Sequence, residues 1–439
     1  MSIKTRLIIM NFLQFAVWGA YLTSMGNYLA SIGIASKIGL FYAMQGIVSI
    51  ILPAVMGIIA DRWIPVQRLL GYCHGLAAAF IIAAGYYGMT MGTEAEFSVL
   101  FSLYSCSVAF YMPTIALANS VSYTVLTHNN YNTVKNFPPI RTFGTIGFIC
   151  AMLFVNFTGI KGGTLSFNLT NEIGFPSFQN SYAQFYVSGI LGIILFLYSF
   201  GLPHCPINKG EEKKSLADAL GLKAFSLFKD KRMAIFFIFS MLLGVSLQIT
   251  NGYANPFIAS FKEIPEFANT WGANNANALI SLSQVSETLC ILLIPFFLKR
   301  YGIKVVMLMA MVSWVLRFGL FAVGDPGNGV WMFILSMIVY GIAFDFFNVS
   351  GSLFVDQETD TKMRSSAQGV FMMMTNGFGA TIGMLGAQVV VNHFVYAHES
   401  AATQLSGWQT SWYIFAGYAL VVTILFAILF KYKHNPNQQ

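Results

Sequence analysis

Runs of about 20 apolar residues almost free of charge recur along this chain, each long enough as a helix to cross a hydrocarbon core roughly 30 Å thick. They constrain the fold more than any other feature. Of 439 residues, 56% are hydrophobic and only 9% charged, against about 25% charged in a soluble domain, which excludes an ordinary soluble enzyme. A formal net charge of +7 would suit a nucleic-acid partner only if it formed a water-facing basic patch. Here Lys and Arg stand at the ends of apolar runs, so the charge marks topology and no nucleic-acid partner is expected. Cys73, Cys106, Cys150, Cys205 and Cys290 are scattered singly without C-x-x-C spacing. They read as packing residues, with no metal and no cofactor implied.

Hydropathy predicts spans near 6–31, 38–60, 68–90, 97–123, 139–157 and 182–202, then 233–260, 275–298, 303–323, 330–355, 364–392 and 408–430. The fold class is therefore an all-α membrane protein of twelve transmembrane helices. A polar stretch divides them, giving an N-terminal six-helix half (1–203), a linker (204–231) and a C-terminal six-helix half (232–439). The first run follows only MSIKTR and has no small-residue cleavage site, so it reads as a span and not a signal peptide. With both termini cytoplasmic, only Lys37, Lys161 and Lys262 fall in outer loops and only Arg141 and Arg317 within spans. The remaining Lys and Arg then lie inside, as the positive-inside rule requires. The longest outer loop, 158–181, is rich in Gly, Asn, Ser and Thr and is predicted to be an exposed, irregular connection.

The halves carry matching short basic turns: Gly57-Ile-Ile-Ala-Asp61-Arg62 after the second span and Phe297-Leu-Lys299-Arg300-Tyr-Gly302 after the eighth. The first resembles the G-x-x-x-D-R signature of the major facilitator superfamily. That resemblance implies a conformational loop at Gly57, Asp61 and Arg62, two six-helix halves with a central polar cavity at the midplane, alternating access, and a monomer.

Four ionisable side chains fall inside predicted spans: Arg141, Glu287, Arg317 and Asp345. Facing lipid at the centre, each would cost about 2.5–3.5 kcal/mol. Arg317 stands near the outer end of its span and is expected to snorkel to the headgroups as a structural residue. Glu287 and Asp345 lie mid-span and are too short to do so, which makes function the default reading. Spacing of three or four residues puts Gln248 with Asn251, Gln284 with Glu287, and Asp345 with Asn348 on one face each, and Arg141, Thr145 and Phe148 on another. A single pair could be a clasp between packed helices; four such faces with two carboxylates point to a water-accessible cavity. Phe148, Tyr340, Phe344 and Phe347 adjoin these stripes as candidate substrate platforms. His74 and His128 show no neighbouring polar pattern and read as structural or solvated. The Gly-rich stretch from Asn376 to Gly386 suits close packing or bending.

The same segments carry a second likeness. Phe12-Leu-Gln-Phe-Ala-Val-Trp18, Phe137-Pro-Pro-Ile-Arg141-Thr-Phe-Gly-Thr145-Ile-Gly-Phe148, Gln248-Ile-Thr-Asn251, Gln284-Val-Ser-Glu287, Tyr340-Gly-Ile-Ala-Phe344-Asp345-Phe-Phe-Asn348 and Ser365–Gly379 resemble the bacterial nucleoside:proton symporter family. The likeness runs nearly end to end. It implies uptake of purine and pyrimidine nucleosides with protons across the bacterial inner membrane, and a substrate site of Arg141, Thr145, Phe148, Gln248, Asn251, Gln284, Glu287, Tyr340, Phe344 and Asp345. The chain departs from the family pattern at Phe143, where Trp is expected, at Ser246, where an acid is expected, and in its longer loop between the fifth and sixth spans.

The chemistry is coherent on its own terms. An aromatic ring can stack on a flat base for about 1–3 kcal/mol, amides meet its donor–acceptor edge, and carboxylates suit a ribose diol. Neutral nucleosides accumulate only if coupled to an ion; a proton crossing 100 mV supplies about 2.3 kcal/mol, roughly 50-fold. Desolvation disfavours an ionised carboxylate and a nearby guanidinium favours it. Asp345 is accordingly expected to be the principal proton site and Glu287 mainly a ribose ligand or secondary site, with Arg141 favouring the ionised form where the cavity brings it close. A proton symporter for a sugar or other polar metabolite is the alternative. No H-E-x-x-H, G-x-S-x-G or phosphate-loop motif supports an enzyme, and the short termini speak against a sensor.

Overall fold

A computed structural model describes residues 1–172, 174–207, 222–360 and 363–432; residues 208–221 of the expected linker lie outside these. Regular structure among the described residues is helical except for one hairpin. The helices are α1 (Ile3–Gly19), α2 (Met25–Ser31), α3 (Ile38–Arg62), α4 (Val66–Met91), α5 (Phe97–His128), α6 (Thr133–Phe157), α7 (Ala183–Ser199), α8 (Lys231–Ser260), α9 (Trp271–Asn274), α10 (Ala276–Ile291), α11 (Ile294–Val323), α12 (Val330–Glu358), α13 (Arg364–Met372), α14 (Ala380–Val391) and α15 (Ala401–Leu429). Nine helical stretches among the described residues are long and apolar enough to span a membrane. Starts follow local chemistry: Ser2, Asn132 and Asp230 each accept a bond from an N–H three residues on.

Three predicted runs take another form. The first is broken into α1 and α2, the sixth is the 17-residue α7, and the eighth comprises the 16-residue α10 with the first residues of α11. The turn predicted between the eighth and ninth runs is a sharp bend inside α11 at Gly302 (φ 76°, ψ 169°), a conformation that costs a residue with a Cβ far more than glycine. The eleventh run is interrupted by two π-helical turns, Met373–Gly379 and Asn392–Tyr396, a departure often found at working segments of helices.

The expectation of an irregular 158–181 loop is corrected. Strands β1 (Thr158–Lys161) and β2 (Thr164–Phe167) pair antiparallel across Gly162 and Gly163, whose φ values are 59° and 80°. Two central residues with positive φ make the tight turn whose twist matches paired strands, and glycines adopt it without steric cost.

The chain divides into two compact units: Met1–Lys37, Ile47–Leu169 and Gly174–Ala219 form the first, and Ile38–Gly46, Thr170–Ile173 and Leu220–Gln439 the second. In the first, α1 packs on α6, and α4 on α5 and α7. A Cβ added at Gly147 would stand 2.8 Å from the Phe12 carbonyl carbon, so the α1–α6 approach depends on that glycine. In the second, α12 packs on α10 and α11, α11 on α15, and α8 on the Met373–Gly379 turn and α14. There a Cβ at Gly383 would fall 2.6 Å from Val245 Cα. This contact explains the glycine-rich stretch as one where two backbones touch. Leu40 N–H donates to Gln388 Oε1 (3.0 Å) and Asn171 Nδ2 to Asn275 Oδ1 (2.8 Å) within the same unit.

Candidate functional site

In the second unit the predicted site residues gather around one ring. Tyr340 and Phe344, one turn apart on α12, stack with centroids 5.8 Å apart and planes 11° from parallel. Trp314 from α11 meets Tyr340 edge-on at 5.9 Å. Gln284 and Glu287 of α10 and Asp345 of α12 lie within interaction range of the Tyr340 hydroxyl. Three residues singled out by spacing on two helices, Gln284, Glu287 and Asp345, thus converge on Tyr340, with Phe344 extending the aromatic surface. Asp345 is 6% exposed and Tyr340 4%, while Gln284, Glu287 and Phe344 are half-buried. The polar groups therefore sit at the margin of a largely dry face, where electrostatic interactions are stronger than in water.

Gln248 and Asn251 on α8 meet each other, Asn251 Nδ2 donating to Gln248 Oε1 at 2.9 Å. A cleft with about 220 Å³ of empty space is lined by Leu243, Gly244, Leu247, Trp314, Ala343, Phe344, Asn348 and Thr375. It brings Phe344 and Asn348 to one surface with α8. Phe347, named above as a candidate platform, is corrected: it is fully buried, because Phe236 of α8 and Phe371 of α13 pack over it.

Arg317 is corrected as well. It does not snorkel; at 1% exposure its guanidinium turns inward. Nη1 donates to Ser336 O (2.8 Å) and Ser283 Oγ (3.3 Å), and Cζ lies 4.4 Å from the Tyr340 ring centroid. Position along the span suggested the headgroups, but the available carbonyl and π face on α12 decided the rotamer.

In the first unit, Arg141 and Phe148 occupy one side of α6 facing α1. The Arg141 guanidinium lies 3.7 Å over Phe15, and Phe148 meets Trp18 edge-on at 6.2 Å. Thr145, on the turn between them, is half-buried. Behind Trp18 runs a neutral polar network that the sequence reading missed. Gln14 Nε2 donates to Thr114 Oγ1 (2.7 Å), His74 Nε2 pairs with Gln14 Oε1 (2.7 Å), and the Tyr111 hydroxyl donates to Gln14 O (2.8 Å). Because a Gln oxygen only accepts, His74 carries its proton on Nε2. His74 thus has polar neighbours, contrary to expectation, and they come from other helices. Asn11 and Gln14, three apart in the stretch of α1 that carries no charge after Arg6, were the signal that could have found them; Asn11 Nδ2 reaches Ser122 Oγ at 3.3 Å. Asp61, Arg62 and Trp63 are exposed at the end of α3, and a Cβ at Gly57 would meet nothing within 4 Å.

Comparison with known proteins then bears on this arrangement. A family model described as nucleoside H+ symporter matches residues 1–435. The xanthosine permease of Escherichia coli (strain K12) is 43% identical over 441 residues, covering 100% of this chain and 98% of that protein. The nucleoside permease NupG of the same organism is 44% identical over 437 residues, covering 99% and 97%. A crystal structure of the nucleoside transporter NupG superposes with a TM-score of 0.85 at 43% identity, covering 99% of this chain and 100% of that one. A peptide transporter at 12% identity has a TM-score of 0.68, a likeness of fold alone.

Proposed function

The chain belongs to the nucleoside H+ symporter family, and from that premise we propose that it imports purine and pyrimidine nucleosides with protons across the bacterial inner membrane. It is a multi-pass membrane protein and a transporter, not an enzyme; twelve spans in two halves, 1–203 and 232–439, cytoplasmic termini and a monomeric state complete the reading. The observation that carries the substrate assignment is the stacked Tyr340–Phe344 pair with Gln284, Glu287 and Asp345 at its hydroxyl edge. A flat apolar ledge edged by an amide and two carboxyl groups suits a base that stacks and a ribose that donates hydrogen bonds.

Asp345, the more buried carboxyl, takes the proton, and Glu287 binds the ribose diol. Gln248 and Asn251 present amides for the base edge, and Arg141, Thr145 and Phe148 are the proposed substrate residues of the first unit. Proton and nucleoside together favour an occluded state, from which the site reopens on the other side. Gly57, Asp61 and Arg62 act in that conformational change.

Proton-driven uptake in proteoliposomes, competed by uridine, adenosine, guanosine and xanthosine against simple sugars, tests the reading. Nucleosides are expected to compete and sugars not to. Competition by sugars alone would replace it with a sugar symporter.

A further inference from the structure

Asn348 of α12 is an amide on the aromatic row that the mechanism above leaves without a task. Tyr340, Phe344 and Asn348 follow one another at intervals of four, which sets them in one line along the helix. Four residues rise about 6 Å, matching the 5.8 Å between the stacked Tyr340 and Phe344 rings. Tyr340 covers one face of Phe344, and the next plane of the same stack falls at the level of Asn348. The cleft lined by Phe344, Asn348, Trp314, Leu243 and Leu247 lies there. Asn348 is half-buried, and among the described residues its amide makes no hydrogen bond. Gln248 and Asn251, by contrast, already use a donor and an acceptor on each other. Trp314 brings to the same cleft a buried Nε1–H that has no partner among the described residues. Polar groups left unbonded away from water are costly, so the cleft suits a flat ligand with a polar edge.

We propose that Asn348 is a specificity residue of the substrate site: a nucleobase stacks on the open face of Phe344, and the Asn348 amide meets its edge in the plane of the ring. The proposal rests on the reading above that the Tyr340–Phe344 ledge binds nucleosides. A carboxamide carries a donor and an acceptor side by side, the complement of the N–H and carbonyl that uracil and hypoxanthine present together. Turned over, it serves the ring nitrogen and amino group of adenine or cytosine. One residue thus takes purines and pyrimidines alike and rejects a ring whose edge lacks the pair, because its own donor and acceptor would then stay unbonded. Leu243 and Leu247 on the facing helix offer the base no competing polar group.

The test is calorimetric binding to the full chain of uridine against 3-methyluridine and of inosine against 1-methylinosine, for wild type, Asn348→Leu and Asn348→Ala. In each pair the methyl replaces the base-edge N–H and leaves the ribose untouched. Wild type is expected to prefer the parent nucleoside about tenfold or more. Leu keeps close to the volume of Asn, and Ala serves if Leu does not fold. In either variant the parent weakens by about that factor and the methylated ligand hardly changes, so the preference disappears. A preference that survives in a folded variant, a loss shared equally by parent and methylated ligand, or a wild type without preference would overturn the role of Asn348. Binding of simple sugars but of no nucleoside would instead remove the reading on which it rests.

Discussion

The two units keep polar groups inside apolar helices in different ways. Around Gln14 the first unit joins neutral groups, His74, Thr114 and Tyr111, by bonds of 2.7–2.8 Å. Around Tyr340 the second gathers formal charges, Glu287, Asp345 and Arg317. A neutral pair that satisfies itself holds helices in register at little cost. A buried charge is expensive and is kept where it has work to do. On the proposed mechanism, proton chemistry belongs to the second unit, while the first offers a neutral frame bordered by Arg141 and Phe148.

The largest effect that would break this contrast belongs to Asp345. Asp345→Asn is expected to abolish accumulation driven by a pH gradient or potential, a loss of up to roughly 50-fold in the concentration ratio at 100 mV, while counterflow of labelled nucleoside persists. Loss of counterflow too would make Asp345 a substrate ligand first. Next, Glu287→Gln is expected to raise the dissociation constant for nucleosides about tenfold or more, the worth of a hydrogen bond to a charged acceptor. Calorimetry showing unchanged affinity would exclude a ribose role. Tyr340→Ala should weaken binding by about 1–3 kcal/mol, the value of one stacked base, with Tyr340→Phe recovering most of it. Binding restored by Leu as fully as by Phe would exclude stacking.

The smallest functional change is expected in the first unit. Gln14→Leu leaves the His74 Nε2 donor and the Thr114 Oγ1 acceptor without their present partner, a cost of about 1–3 kcal/mol. It should appear as a lower melting temperature in detergent, with the pH profile of uptake unmoved. A shifted profile would bring His74 into proton movement and erase the contrast between the units.

Much of this was legible in the chain because membrane insertion makes strict demands. Spacing on α10 and α12 marked Gln284, Glu287 and Asp345, which do converge on Tyr340, the aromatic adjoining them in sequence. The same reasoning failed at Phe347, two residues from Asp345 and so on another side of the helix, and it read His74 as structural without seeing its bonded partner, Gln14, which lies 60 residues away on α1. The Gly162–Gly163 hairpin was passed over because its strands are only four residues each, too short for alternation to stand out from a loop.

Run length and the scarcity of charge by themselves determined that the chain is helical and crosses a membrane, since a backbone in lipid must satisfy its own hydrogen bonds. Periodicity of 3.6 residues fixed the angle at which each polar side chain leaves its helix axis. It could not say which neighbour waits there. That Arg317 turns inward to Ser336 and Tyr340 rather than outward to headgroups was decided only by how α11 packs on α12, because a long flexible cation settles wherever carbonyl and π faces compensate best for lost water.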